Sequence, residues 1–326
     1  MTKPRIAFLG TGWIGRHRMA AMLATGAVEA VAYADPSPEM AAEAGKLAPQ
    51  ARRVSDLDAL LALKPDGVVI ATPSALHAEQ SIQALDAGAA VFCQKPLGRN
   101  AAEAARVVDA AKQADRLLGV DFSYRYTSGM QAIAALIRSG ELGQVFAADL
   151  IFHNAYGPDK PWFYNRALSG GGCVMDLGVH LVDLALWVLA FPAVEGAVAG
   201  QLFAGGTPLT GDAVEDYASA QFRLGNTAVR LACSWRLAAG QDAVIETSFY
   251  GTDGGATFRN VGGGFYDFEA TRFRGTAREK LASGGEEWGG RAASAWAERL
   301  ARGDRFGAEA EELIRVAEVL DRVYGT

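Results

Sequence analysis

Ile6-Ala7-Phe8-Leu9-Gly10-Thr11-Gly12-Trp13-Ile14-Gly15 decides the architecture of the first third of the chain. A short apolar run of strand length feeds straight into GxGxxG, which opens the helix-type stretch Ile14 to Thr25. In that context the first glycine permits a tight turn, the second lets backbone approach a pyrophosphate, and the third lets helix pack on strand. Amides at the helix start can then hold anionic phosphates, with Trp13 and Ile14 beside them. Taken alone, the match also describes a glycine-rich turn with no ligand. Asp35 tips the balance, because it ends the second strand-like run 20 residues after Gly15, where an acid that bonds ribose hydroxyls is expected. Pro36-Ser37-Pro38 follows it with no Arg to receive a 2′-phosphate, which favours NAD over NADP.

Working outward, the same alternation continues to residue 122. Val28 to Ala34, Val68 to Ala71, Ala90 to Cys93 and Leu117 to Val120 have the length and apolarity of strands buried on both faces. Between them, Pro38 to Leu47, Leu57 to Leu63, Ala75 to Ala87 and Ala101 to Ala114 carry apolar residues near helical spacing. The pattern predicts an α/β domain, a Rossmann doubly wound parallel sheet over residues 1–122. Residues 123–326 predict an α+β domain that binds substrate and carries oligomer contacts. Its elements are a helix from Gly129 to Arg138, another within 170–190, and strands at 144–153, 197–204, 214–224, 227–237, 243–250, 254–259 and 265–273. Gly225-Asn226 supplies hairpin-turn chemistry, so the sheet is expected to be open and largely antiparallel. The Gly-rich, charged stretch 274–290 reads as a loop, and Ala308 to Tyr324 as an amphipathic helix.

Composition narrows the classes. With 326 residues, half of them hydrophobic and 9% aromatic, the chain is long enough for two cores and has globular composition. The 31 Lys and Arg stand against 37 Asp and Glu, a net charge of −6, which disfavours nucleic acid as a partner. Cys93, Cys173 and Cys233 form no CxxC pair, so neither a disulfide framework nor a zinc knuckle is indicated, and reduced thiols fit a cytoplasmic protein. No export signal is seen in the first residues. Leu184 to Val194 is interrupted by Pro192 and falls short of the about 20 residues of a membrane span, so it predicts a buried helix and no membrane partner.

Three segments fall where parallel strands should end, the usual ligand edge of such a sheet: Thr72-Pro73-Ser74-Ala75-Leu76-His77, Gln94-Lys95-Pro96 and Tyr124-Arg125-Tyr126. Farther on, GGCVMDLGVHLVD spaces Asp176, His180 and Asp183 four and three residues apart, which on a regular helix puts all three on one face. In their order along the chain, GTGWIG, ATPSALH, QKP, SYRY and GGCVMDLGVH resemble the Gfo/Idh/MocA oxidoreductase family, of the glucose–fructose oxidoreductase and inositol dehydrogenase type. The resemblance implies an N-terminal Rossmann domain, a C-terminal domain with an open sheet, and hydride transfer between nicotinamide and a carbon of a sugar, polyol or cyclitol. Carried onto matching positions, it makes Lys95, Asp176 and His180 the catalytic set. His180 suits the hydroxyl proton, Lys95 the developing alkoxide charge, and Asp176 the substrate hydroxyl. Thr72, Pro73, Gln94, Lys95 and His77 are expected along the cofactor. Tyr124, Arg125, Asn154, Tyr156 and Trp162 are candidate substrate contacts.

One position departs from the family pattern, Gln94 standing where Glu-Lys-Pro is usual. If the family carboxylate serves to accept a ribose hydrogen bond, the amide can still do so; if its charge tunes Lys95, activity weakens. A non-catalytic dinucleotide- and ligand-binding regulator, and an NAD-using glycosidase, are the alternatives. A metal site at Asp176, His180 and His153 is disfavoured for want of HExxH, clustered thiols or a third well-spaced ligand. The open sheet is expected to pair copies of the chain into a homodimer or homotetramer.

Overall fold

The computed structural model describes residues 2–326. Two compact units emerge, one made of the chain up to Ser123 together with Glu287–Ile314, the other of Tyr124–Glu286 with Arg315–Thr326. The sequence predicts a single boundary at residue 122, whereas the chain passes between units three times.

In the first unit, β1 (Arg5–Leu9), β2 (Glu29–Ala34), β3 (Arg52–Arg53), β4 (Gly67–Ile70), β5 (Ala90–Cys93) and β6 (Leu118–Val120) form one parallel sheet in the order 3-2-1-4-5-6. This is the doubly wound order whose switch point lies between β1 and β4. Helices α1 (Trp13–Ala24), α2 (Pro38–Leu47), α3 (Leu57–Leu61), α4 (Ser74–Asp86) and α5 (Ala101–Ala114) connect the strands. Several starts are written in the sequence: Ser37 caps α2 by accepting from Met40 N, with Pro38 at the first turn, and Asn100 caps α5 by accepting from Glu103 N. Every residue of β4 and β5 is buried, which explains their unbroken apolar character.

The second unit holds α6 (Ser128–Arg138), β7 (Val145–Asn154), the single turn α7 (Arg166–Ser169), α8 (Val179–Val188), β8 (Val194–Ala204), β9 (Thr207–Pro208), β10 (Tyr217–Leu224), β11 (Thr227–Ser234), β12 (Ala243–Gly251), β13 (Gly255–Asn260), β14 (Phe268–Arg274) and β15 (Ala277–Ala282). Its sheet has nine strands in the order 15-14-13-12-7-11-10-8-9, antiparallel throughout except where β11 runs parallel to β7. On β7, Ala148, Leu150 and Phe152 point inward and are buried, while Ala147, Asp149 and Ile151 face outward. Helix α6 lies on the inner face, close enough that a Cβ at Gly129 would meet Phe258 at 2.9 Å. The outward face is mixed, carrying Ile151 and Tyr250 together with the ion pairs Arg230–Asp149 and Arg259–Glu269.

Back in the first unit, α9 (Arg291–Ala301) completes the core. Trp296 packs against Phe92 with ring centroids 5.7 Å apart, and a Cβ at Gly67 or Gly119 would strike the same indole at 2.8 or 2.7 Å. The last helix, α10 (Glu312–Tyr324), buries Val316, Val319, Leu320 and Val323, four positions of one face. The stretch 274–290 is corrected in part: β15 occupies its middle as an exposed edge strand, AREKLA, whose charges mask the alternation that marks strands. The segment Arg166–Val188, 23 residues, passes a length-and-apolarity test for a membrane span, yet 83% of its most apolar window is buried inside the fold.

Candidate functional site

The glycine loop follows β1 and starts α1. Gly10 has φ +83°, and a Cβ there would lie 2.5 Å from Ala71 O, while one at Gly15 would lie 2.2 Å from Gly10 O. Both are glycine because backbone sits against backbone. Around Gly12 nothing comes within 4 Å of a Cβ, and no side chain caps α1. The loop therefore presents an open cradle at a helix N-terminus, with no acid in the first turn, which fits a pyrophosphate. Asp35 is braced against it: Oδ2 accepts from Thr11 N at 2.6 Å, and Oδ1 from Ser37 N at 2.8 Å.

Arg16 lies beside this carboxylate's neighbours, although the sequence around Pro36-Ser37-Pro38 shows no cation. Its Nη1 donates to Thr11 O at 2.7 Å and lies 3.0 Å from Met40 Sδ, at the start of α2. The stretch after Asp35 holds no Arg, and a guanidinium reaches the start of α2 from α1 instead. Arg16 is the residue directly after Gly15.

Two more loops line the same strand ends. Thr72 Oγ1 donates to Gln80 Oε1 at 2.6 Å, and Pro73 sits at the cap position of α4. His77, 1% exposed, sets Nδ1 2.7 Å from Pro96 O and Nε2 2.7 Å from Thr72 O. Both ring nitrogens are thus committed to backbone, and the side chain joins two loops rather than facing a ligand. Burial pushes its pKa down, against the two carbonyl hydrogen bonds that would raise it, while nearby Lys95 lowers it further. Gln94 Nε2 donates to Asp121 Oδ2 at 2.6 Å, and the Lys95–Pro96 peptide is cis.

In the second unit, GGCVMDLGVH does not form one regular helix. Val174–Gly178 is a π-helical turn leading into α8, so the spacing of Asp176 and His180 crosses a change of phase. Asp176 Oδ2 accepts from Trp235 Nε1 at 3.1 Å. Tyr124 packs edge-on to His180 at 5.0 Å between centroids, and also against Phe152 and Phe268. Asp183 leaves the expected cluster altogether. It is 1% exposed and takes a two-pronged pair from Arg125, Nε to Oδ2 at 2.9 Å and Nη2 to Oδ1 at 2.5 Å. Burial raises the Asp183 pKa and the guanidinium opposes that rise. Arg125, expected as a substrate contact, is thereby committed to this pair.

Asn154 Oδ1 accepts from Tyr156 N at 2.7 Å at the end of β7, and the Tyr156 hydroxyl donates to Asp242. Trp162 stacks on Phe163 at 3.8 Å, and Phe163 and Tyr164 meet Trp235 edge-on, so an aromatic wall stands beside Asp176. Trp235 escaped the sequence reading because it ends a strand far from every motif. Glu215 escaped likewise: it accepts from Gly172 N, Val174 N and the Tyr324 hydroxyl, fixing the turn that starts the Asp176 segment. A Cβ at Gly172 would lie 1.9 Å from Glu215 O, which is why the turn is glycine. His153 lies outside these groups, its Nδ1 2.8 Å from Ser234 Oγ on the sheet. Among the described residues no three His, Cys, Asp or Glu side chains are grouped to hold a metal ion.

Residues 4–122 match the oxidoreductase family with an NAD-binding Rossmann fold, and residues 130–257 match the GFO/IDH/MocA C-terminal domain. The chain belongs to the Gfo/Idh/MocA family. Among its relatives in that family, the D-glucoside 3-dehydrogenase of Escherichia coli (strain K12) is 32% identical over 212 residues, 61% of this chain and 60% of that protein. The aligned part of the chain spans about 60% of the length of the curated relatives it matches first. Two solved structures superpose over nearly the whole chain. A levoglucosan dehydrogenase in complex with NADH and levoglucosan gives a TM-score of 0.84 at 21% identity, covering 99% of this chain and 97% of that one. KijD10, a 3-ketoreductase from Actinomadura kijaniata in complex with NADP and TDP-benzene, gives 0.83 at 21%, covering 99% and 98%. At such identity the likeness speaks for the fold, a parallel Rossmann sheet followed by a mixed, mostly antiparallel sheet.

Proposed function

We propose that the chain is a nicotinamide dinucleotide-dependent oxidoreductase acting on a hydroxyl-bearing carbon of a sugar, polyol or cyclitol. The observation that carries this reading is the open cradle at Gly12 on an uncapped helix start, with Asp35 braced beside it. Gly10, Gly12, Trp13, Ile14 and Gly15 would hold the pyrophosphate, Asp35 the adenosine ribose, and Thr72, Pro73 and Gln94 the remainder. The cofactor, when bound, supplies the hydride acceptor or donor. NAD is favoured by Asp35, and Arg16 leaves NADP within reach.

The chain's own groups handle the proton and the charge. Oxidation of a secondary alcohol removes the hydroxyl proton, and a ring nitrogen of His180 is suited to take it near neutral pH. The Lys95 ammonium would steady developing negative charge. Asp176, held by the Trp235 indole N–H, would orient a substrate hydroxyl. Asn154 and Trp162 lie on the segments leading to that aromatic wall and suit a ring that is polar at its edges. The names of similar proteins, a glucoside dehydrogenase and a levoglucosan dehydrogenase, support a carbohydrate-like substrate. A cytoplasmic location and pairing of copies through the nine-stranded sheet belong to the same proposal.

Sugars, polyols and cyclitols supplied with NAD and followed by NADH absorbance test it. Net NADH formation with at least one of them is expected. Bond cleavage without net NADH would make the chain a glycosidase, and dinucleotide binding with neither would make it a binding protein.

A further inference from the structure

Arg18, Gln94, Asp121 and Ser123 form a polar network in the first unit, each less than a tenth exposed, which Arg18 extends to His17 Nδ1 at 2.8 Å and Ser123 to Gly289 O at 3.1 Å. Asp121 is its centre. Oδ2 accepts from Arg18 Nε at 2.5 Å and from Gln94 Nε2 at 2.6 Å, and Oδ1 accepts from Ser123 Oγ at 2.5 Å. The Asp121 backbone N–H donates to Cys93 O at 3.0 Å, which anchors this carboxylate to the strand that ends just before Gln94. We infer that Asp121 is a positioning residue that turns Gln94 into a hydrogen-bond acceptor, so that an amide serves where the family pattern has a carboxylate.

A primary amide has a donor end and an acceptor end of nearly the same shape, and shape alone does not decide which one meets a ligand. An ionised carboxylate accepts only. Asp121 therefore admits the NH2 end of Gln94 and repels the carbonyl end, leaving Oε1 directed elsewhere as an acceptor. A ribose hydroxyl needs such an acceptor. A carboxylate at position 94 would need no such help, because both its oxygens accept. Beside Asp121, however, it would set two carboxylates about as close as the present hydrogen bond, where both cannot be ionised together. Positions 94 and 121 are thus chosen as a pair: the negative charge sits on Asp121 with Arg18 as counter-ion, and the acceptor sits on Gln94. On this reading the acceptor role at position 94 is kept by Gln94, with the negative charge held at Asp121.

This inference rests on the dinucleotide reading, and the experiment separates the two. NAD and NADH are titrated calorimetrically into the unaltered chain, Gln94→Glu, Asp121→Asn and the double substitution between pH 6 and 9, and thermal unfolding midpoints are taken in parallel. Gln94→Glu should weaken binding about tenfold or more at pH 8.5 and less at pH 6, where a proton shared by the carboxylates replaces the amide donor. Asp121→Asn should weaken it about three- to tenfold by freeing the amide to turn. In the double variant the like-charge pair is gone and a single carboxylate, now at position 94, remains beside Arg18, so affinity should exceed that of Gln94→Glu and its pH dependence should fall. The midpoints should fall and recover in the same order. Unchanged binding by Gln94→Glu, or a double variant weaker than either single one, overturns the inference. If the unaltered chain binds neither dinucleotide, the oxidoreductase reading falls and the acceptor role with it, while the pH-dependent midpoints still decide whether 94 and 121 are coupled.

Discussion

His180 carries the heaviest chemical assignment, and its substitution is the most direct test of it. His180→Ala should lower kcat by about 10²–10⁴-fold, the usual worth of a positioned acid–base group, with NAD affinity little changed. Lys95→Ala should depress the rate and also loosen the cofactor. A His180→Ala enzyme with near-normal kcat and a raised KM would instead make the ring a substrate-positioning group. Cofactor choice is a second property of single residues. Asp35→Ala should narrow the preference for NAD over NADP, and Arg16→Ala should reduce NADP affinity more than NAD affinity, both read by calorimetry. Tighter NADP than NAD binding by the unaltered chain would overturn the assignment of Asp35. Arg125, by contrast, belongs to packing: Arg125→Ala strands the buried Asp183 carboxylate and should cost about 3–5 kcal/mol in urea denaturation.

Elements explain which of these residues could be found from sequence. The glycine loop and Asp35 were legible because their spacing is set by backbone sterics within one βαβ unit, and the structure keeps Asp35 on Thr11. Asp183 shares the regular helix α8 with His180, and what spacing alone could not show is that Arg125 takes it up in a buried pair, while the π turn at Val174–Gly178 shifts Asp176 against both. Trp235 and Glu215 were illegible, since each acts across strands on a segment some 40 to 60 residues away. β15 hid in a charged, glycine-rich stretch because edge strands carry charge by design, and α9, just beyond that stretch, was illegible because its apolar partners lie in distant strands. His77 ties α4 to the loop after β5, and its titration should report on that tie. Burial holds its folded-state pKa below the ordinary 6.5. As pH falls below about 6.5, the unfolded chain takes up a proton that the native ring resists, so stability should decline with acid. In His77→Gln the difference in unfolding free energy between pH 7.5 and 5.5 should shrink; an unchanged difference would exclude His77 from the acid response.

At the scale of the whole molecule, the outward face of the nine-stranded sheet bears on assembly. Its paired charges at Asp149 and Arg230 and at Arg259 and Glu269 stand among apolar side chains such as Ile151 and Tyr250, a mixed surface. If copies pair through it, association should weaken with salt as well as with dilution. Light scattering at micromolar concentration is expected to give a dimer or tetramer, and a monomer at low and high salt alike would refute the proposal.

Trp296 has a meaning in time as well as in space. The indole that fills the space over Gly67, Phe92 and Gly119 is encoded near the end of the chain, long after the strands it covers. At roughly 5–20 residues per second, a ribosome needs on the order of ten seconds or more to pass from the end of β6 to α9. Throughout that interval the strands beneath Gly67, Phe92 and Gly119 exist without the indole that covers them. The mature first unit waits on the synthesis of nearly everything else.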